Sequence, residues 1–188
     1  MGGLLVQVLS NYYTVRMTTR WLTAEEQRAW RAYVAASLLL EDAIDRQLQR
    51  EAGMPHLYYT VLAFLSEAPG RRLRMTDLAE ALKITRSRLT YAVTRLEKDG
   101  AVRREECASD RRGTVAVLTD EGTALLERAA PGHVDTVRRA VFDHLTAEQV
   151  EQLERICLGV AEAIQGDGPP AVRPSDELPW RRRSGPSG

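Results

Sequence analysis

Between Thr85 and Gly100 the chain reads TRSRLTYAVTRLEKDG, and Ser87, Thr90, Tyr91 and Thr94 recur in it at three- and four-residue steps. On a helix this spacing makes one stripe, opposite an apolar set of Leu89, Val93 and Leu96. Arg86 and Arg88 flank the entrance to the stripe, and Arg95 adds a further positive charge along it. Hydroxyls of this kind serve base edges or phosphates. A guanidinium pairs bidentately with guanine, which discriminates against a wrong base by about 1–3 kcal/mol. Taken alone, the stripe is more often a solvated helix face. A second group, Asp110, Arg111, Arg112 and Gly113, lies between two strand-like runs, so its arginines stand at the narrow end of a projecting hairpin. Such a tip fits a minor groove, whose negative potential attracts guanidinium groups, and Asp110 is placed to hold Arg112 extended through a salt bridge. The two groups together point to double-stranded DNA as the partner.

Other chemistries find little support. The three histidines, His56, His133 and His144, have no HExxH spacing, and there is no glycine-rich phosphate loop, so no catalytic residue and no enzyme activity is expected. Cys107 and Cys157 lie far apart without a partner motif, which offers neither a disulfide framework nor a zinc site; no metal and no cofactor is expected. The formal net charge is zero over 188 residues, but Arg71 to Arg112 holds twelve basic residues against seven acids, a basic segment in an otherwise acidic chain. No run of about 18 apolar residues suggests a membrane span. The opening MGGLLVQVLS lacks the positive start and the cleavage site of a signal peptide, so a cytoplasmic protein is expected.

The elements that must position these residues can be read from caps and periodicity. Thr23-Ala-Glu-Glu26 forms a capping box opening a long amphipathic helix that ends near Gly53. Pro55 suits the start of a second helix, His56 to Glu67. Thr76 is expected to cap a short helix, Asp77 to Leu82, and Thr85 to cap the next, through Asp99 to a stop at Gly100; two short capped helices in tandem read as a helix-turn-helix. Val102–Cys107 and Thr114–Leu118 read as strands around a turn at Ser109–Gly113, forming a hairpin wing. Thr119 is expected to cap a helix over Glu121–His144, kinked at Pro131, and Thr146–Gln149 forms a second capping box before a last apolar stripe ending at Ile164. The fold class is mainly α with a small β wing: a winged helix-turn-helix at about 54–120, with dimerisation helices at about 23–52 and 120–165. The terminal helices carry more apolar face than one such domain covers, which predicts a homodimer. Residues 1–20 read as a poorly ordered extension and 166–188 as a disordered tail.

The stretches LAEAL (78–82), TRSRLTYAVTRLEKDG (85–100) and SDRRGTVAVLTDEG (109–122) resemble the MarR family of bacterial regulators, whose wing signature is matched by Asp110, Arg112, Leu118 and Thr119. The resemblance runs from about Trp21 to Ile164. It implies a triangular homodimer with interdigitated terminal helices, reading a palindromic operator with Ser87 and its neighbours in the major groove and Arg112 in the minor groove, usually as a repressor. It further implies release by a small aromatic or phenolic ligand bound between the dimerisation helices and the DNA-binding lobe. Trp21, Trp30, Tyr33, Tyr58 and Tyr59, with His56 as a polar handle, are the candidate effector residues, although core and dimer packing is the more frequent use of such aromatics. Two alternatives stay open: a regulator that needs no effector, and a winged helix used only for protein contacts.

Overall fold

The computed structural model describes residues 19–107 and 110–165, with only the backbone at 110–112 and 165. The expectations for residues 1–18 and for the tail from 166 lie outside the described residues. The chain divides into two compact units, residues 1–39 and 40–188.

In the first unit, the Thr23 N–H donates to Glu26 Oε2 at 2.7 Å and the Glu26 N–H donates to Thr23 Oγ1 at 3.2 Å, the reciprocal pair of a capping box. This opens α1 (Ala24–Ala52). Trp30 and Tyr33, three residues apart on it, stack with ring centroids 5.8 Å apart.

In the second unit, α2 (His56–Glu67) is the centre of the core: Val61, Leu62 and Leu65 are fully buried, packed with Leu48, Leu78, Leu89, Val93, Leu96 and Leu126. Pro55 precedes α2 and has no side-chain oxygen to cap it. Asp45 on α1 supplies one instead, accepting from the His56 N–H at 2.8 Å.

Two helices follow, α3 (Met75–Ala81) and α4 (Arg86–Lys98). Thr85 caps α4, its hydroxyl accepting from the Arg88 N–H at 3.3 Å. Thr76 does not cap α3. That helix starts two residues earlier than a Thr76 cap would allow, behind Arg74, and Thr76 instead donates to the Asp77 carboxylate at 3.0 Å. Both helices end in the same hydrogen-bonded stop. At the end of α3 the Lys83 N–H donates to the Glu80 carbonyl and that of Ile84 to Ala79; at the end of α4 Gly100 donates to Glu97 and Ala101 to Leu96. This stop requires a left-handed residue, supplied once by Gly100 (φ 72°) and once by Lys83 (φ 53°).

The sheet has three antiparallel strands, β1 (Arg72–Arg74), β2 (Val102–Cys107) and β3 (Asp110–Leu118), in the order β1-β3-β2. β1 is too short for an alternating pattern to register, and it is recognisable only through its partner: Leu73 faces Ala116. β3 is longer than the pattern suggests, because the polar residues 110–113 continue the strand and Cys107 pairs with Asp110 beyond an irregularity after Glu106. Residues 110–113 therefore belong to the strand and not to the turn expected at 109–113.

β3 runs into α5 (Asp120–Ala140) through Thr119, whose hydroxyl donates to the Gly100 carbonyl at 2.7 Å and accepts from the Gly122 N–H at 3.0 Å. A side chain at Gly122 would collide with the Ala101 carbonyl, so the Leu-Thr-x-x-Gly run is the joint that lets α5 start against the end of α4. Pro131 does not break α5, which runs on to Ala140; a short 3-10 turn, Phe142–His144, takes the place of the last helical turn expected from the sequence. α6 (Ala147–Gln165) opens on the Thr146–Gln149 box.

Candidate nucleic-acid interface

One face of α4 is fastened down and the other is presented. Leu89, Ala92, Val93 and Leu96 are buried, whereas Arg86, Ser87, Arg88, Thr90, Tyr91 and Arg95 are exposed, Tyr91 by 66%. The period of 3.6 residues alone produces this division. The Ser87 hydroxyl lies 3.1 Å from that of Thr85, so the first turn presents two hydroxyls beside Arg86 and Arg88.

Ion pairing selects which positive charges remain available. Arg71 meets Asp120 at 3.2 Å, Arg72 and Arg103 share Glu105 at 2.9 and 2.7 Å, and Arg104 meets Glu97 at 2.9 Å. Among the described residues, neither Arg86 nor Arg88 pairs with a carboxylate. These two arginines thus leave positive charge available where α4 begins, at the helix end whose own dipole also attracts anions.

Thr94 is half-buried and fully engaged. Its hydroxyl donates to the Thr90 carbonyl at 2.8 Å and accepts from Arg104 Nη2 at 2.7 Å. A cleft of about 350 Å³ opens beside Thr90 and Arg104, its lining including Arg74, Met75, Thr76 and Thr114. The sequence reading did not include Arg104 or Glu97; the alternation of VRREEC, which puts Arg104 and Glu106 on one face of β2, was the available signal. The backbone of Asp110, Arg111 and Arg112 belongs to β3, and the roles expected of their side chains lie outside the described residues.

A MarR family transcriptional regulator from Streptomyces coelicolor, solved in complex with DNA, is 60% identical over 87% of this chain and 100% of its own, with a TM-score of 0.76. This chain belongs to the MarR family. The MarR family model itself matches residues 52–113, which hold α2 to α4 and most of the sheet. A second MarR regulator from Streptomyces coelicolor, AbsC, is 42% identical over 79% of this chain and 100% of its own, with a TM-score of 0.73. The homoprotocatechuate degradative operon repressor of Escherichia coli is 33% identical over 65% of this chain and 85% of its own. Two other curated relatives, both HTH-type regulators, are spanned over 63% and 62% of their length. This is a family of DNA-binding transcriptional regulators, and non-enzymatic. Among the described residues no group of His, Cys, Asp or Glu is placed to hold a metal ion, and no helix is long and apolar enough to cross a membrane.

In this MarR chain the aromatic residues expected to meet an effector fall into two sets. Trp21, Trp30 and Tyr33 belong to the first unit and are all exposed. His56, Tyr58 and Tyr59 belong to the second, on α2, with divergent surroundings. Tyr58 faces α4: burial raises its phenol, the neighbouring Tyr91 adds to that, and the positive charge of Arg95 pulls the other way. Tyr59 is buried, its phenol pushed up to about 12 by desolvation and then by Glu67, and its ring lies 4.4 Å from that of His133 on α5. His56 Nδ1 lies 2.9 Å from Glu41 Oε1. His133 was not among the expected site residues, since a lone histidine within a helix gives no signal in sequence. Its Nδ1 and the Oε1 of Gln47 are buried without a hydrogen-bond partner among the described residues.

Proposed function

We propose that the protein binds an inverted-repeat operator as a homodimer, represses transcription there, and is released by a small aromatic or phenolic ligand. The observation that carries the DNA reading is the presented face of α4, where Arg86, Ser87, Arg88, Thr90 and Tyr91 are exposed and neither arginine at the helix start has a carboxylate partner among the described residues. The Streptomyces coelicolor relative bound to DNA supports it. In this reading residues 54–120 are the DNA-reading domain, with Arg95, Asp110, Arg111 and Arg112 completing the contact surface. Residues 23–52 and 120–165 supply the dimer.

Dimerisation is supported by the apolar surface left open on α6. Ile156, Val160 and Ile164 recur every four residues and are exposed, Ile164 by 80%. A stripe of this kind on a helix is normally covered by a partner. A C2 dimer presents two copies of α4 to half-sites roughly 34 Å apart. The effector class rests on the exposed Trp21, Trp30 and Tyr33 together with His56, Tyr58 and Tyr59, and on the curated repressor whose name ties it to an operon for degrading a phenolic acid.

The test is a titration of duplex DNA from the region upstream of the protein's own gene, with the salt concentration varied and a panel of phenolic acids added. Sequence-specific binding whose log–log salt slope falls by about 0.9 for each phosphate contact removed supports the reading. Equal binding to random duplex overturns it. Release by one phenolic acid identifies an effector, and indifference to the whole panel favours an effector-independent regulator.

A further inference from the structure

We propose that Arg104 is the positioning residue of α4, fixing the rotation and pitch at which that helix offers its side chains to base edges, without itself contacting phosphate. The inference rests on the DNA-reading role proposed above and names a specificity determinant for it.

The guanidinium of Arg104 reaches from β2 across the inner edge of α4. Its Nη1 donates to Glu97 Oε2 at 2.9 Å, and its Nη2 donates to the Thr90 carbonyl at 3.1 Å and to Thr94 Oγ1 at 2.7 Å. The Arg104 backbone N–H donates to the other Glu97 oxygen at 3.2 Å, so the carboxylate is held from both sides. The Arg104 side chain is 27% exposed. Three points on two turns of one helix, residues 90, 94 and 97, are thereby tied to one planar group.

The apolar stripe of α4 does not supply that constraint. Burial of Leu89, Val93 and Leu96 is strong but non-directional, and it leaves small rolls and slides of the helix inexpensive. A guanidinium with fixed donor directions resists both, as a lysine ammonium would not. The neighbouring arginines are directed elsewhere, Arg72 and Arg103 both to Glu105. Because β2 pairs along β3, the same side chain also ties α4 to the strand that carries residues 110–112. Hydrogen bonds to base edges depend on helix placement far more sharply than contacts to phosphate do. Arg104 therefore governs discrimination between sequences more than overall affinity.

The experiment uses the full chain, a duplex selected by the wild-type protein from a randomised pool, and a shuffled duplex of equal composition. Dissociation constants are measured by fluorescence anisotropy across a salt series for wild type, Arg104→Lys, Arg104→Met, Glu97→Gln and the Arg104→Met/Glu97→Gln double variant. The Arg104 variants should lose affinity for the selected duplex by about tenfold or more, a typical value for one base contact, and stay within about twofold of wild type on the shuffled one. Their salt slopes should match wild type. Glu97→Gln should shift discrimination the same way, and the double variant should be no worse than Arg104→Met.

Parallel losses on both duplexes with a slope reduced by about 0.9 would make Arg104 a phosphate contact and overturn the proposal. Wild-type discrimination in Arg104→Met overturns it too. If thermal melts show the Arg104 variants unfolded, Glu97→Gln decides: it breaks the clasp from the helix side, and unchanged discrimination sinks the idea. A wild-type protein that selects no sequence refutes the operator reading itself, and with it this one, before any variant is compared.

Discussion

The imidazole of His133 packs against the ring of Tyr59, centroids 4.4 Å apart and planes inclined by 34°, with the His56 ring 5.9 Å away. α2 thus supplies His56 and Tyr59 to this site, and α1 supplies Gln47 and Glu51, which lie against Gly132. Burial first, and the neighbouring His56 second, lower the His133 pKa to about 4. In the unfolded chain the same group takes up its proton near the ordinary value of 6.5. The neutral imidazole therefore favours the folded state fully above pH 6.5, and this contribution is lost progressively as pH falls towards about 4. Thermal melts between pH 7.5 and pH 4.5 should show a falling midpoint, and His133→Gln should flatten that limb. An unaltered slope in the variant would assign the pH dependence to other groups.

The paired stops after α3 and α4 give a prediction with two signs. Both need one left-handed residue, and an L side chain there costs about 1 kcal/mol. Lys83→Gly should relieve that strain and stabilise the protein by up to about 1 kcal/mol, less the extra entropy glycine carries in the unfolded chain. Gly100→Ala should destabilise by about 1 kcal/mol, and through conformation alone, because a Cβ at Gly100 meets nothing within 4 Å. Urea unfolding with a constant m-value would read both, and a stabilising Gly100→Ala would contradict the argument.

Gly122 fails differently. Its conformation is ordinary, but an added Cβ would press on the Ala101 carbonyl and come within 2.7 Å of Leu118 Cδ1. Gly122→Ala should cost at least about 1–3 kcal/mol, the range for overpacking, because backbone and not a flexible side chain must yield. A melt within a degree of wild type would mean that the start of α5 can shift freely.

Dimerisation can be tested on α6. Val160→Asp places a charge in the middle of the exposed 156–160–164 stripe, and light scattering after gel filtration should show a monomer where wild type is a dimer. Operator affinity should fall with it, since one half-site then binds alone. A dimeric variant would move the interface off this stripe.

Much of the fold was legible because its signals are local. Thr23, Thr85, Thr119 and Thr146 announce four helix starts, and Gly100 one helix end, through hydrogen bonds reaching no further than five residues. The presented face of α4 was legible for the same reason, since Leu89, Val93 and Leu96 mark its opposite side. β1 was not, because three residues show no period and the strand exists only through β3. Thr76 misled because a hydroxyl before an apolar run looks like a cap even where the helix starts earlier. Alternation in VRREEC sets Arg104 on one face of β2 without naming its partners, and His133 carries no signal at all: the contacts that distinguish them, to Glu97 and Thr90 in one case and Tyr59 in the other, come from packing between elements.

Tyr58 and Tyr59 are adjacent on α2, and successive side chains on a helix point about 100° apart. One faces Arg95 on α4, and the other packs on His133 in α5. A roll of α2 about its own axis cannot disturb one of these contacts and spare the other. The two contacts are thus joined by a single residue step of helical backbone, so that the packing of α5 and of α4 on α2 shares one rotational setting of that helix.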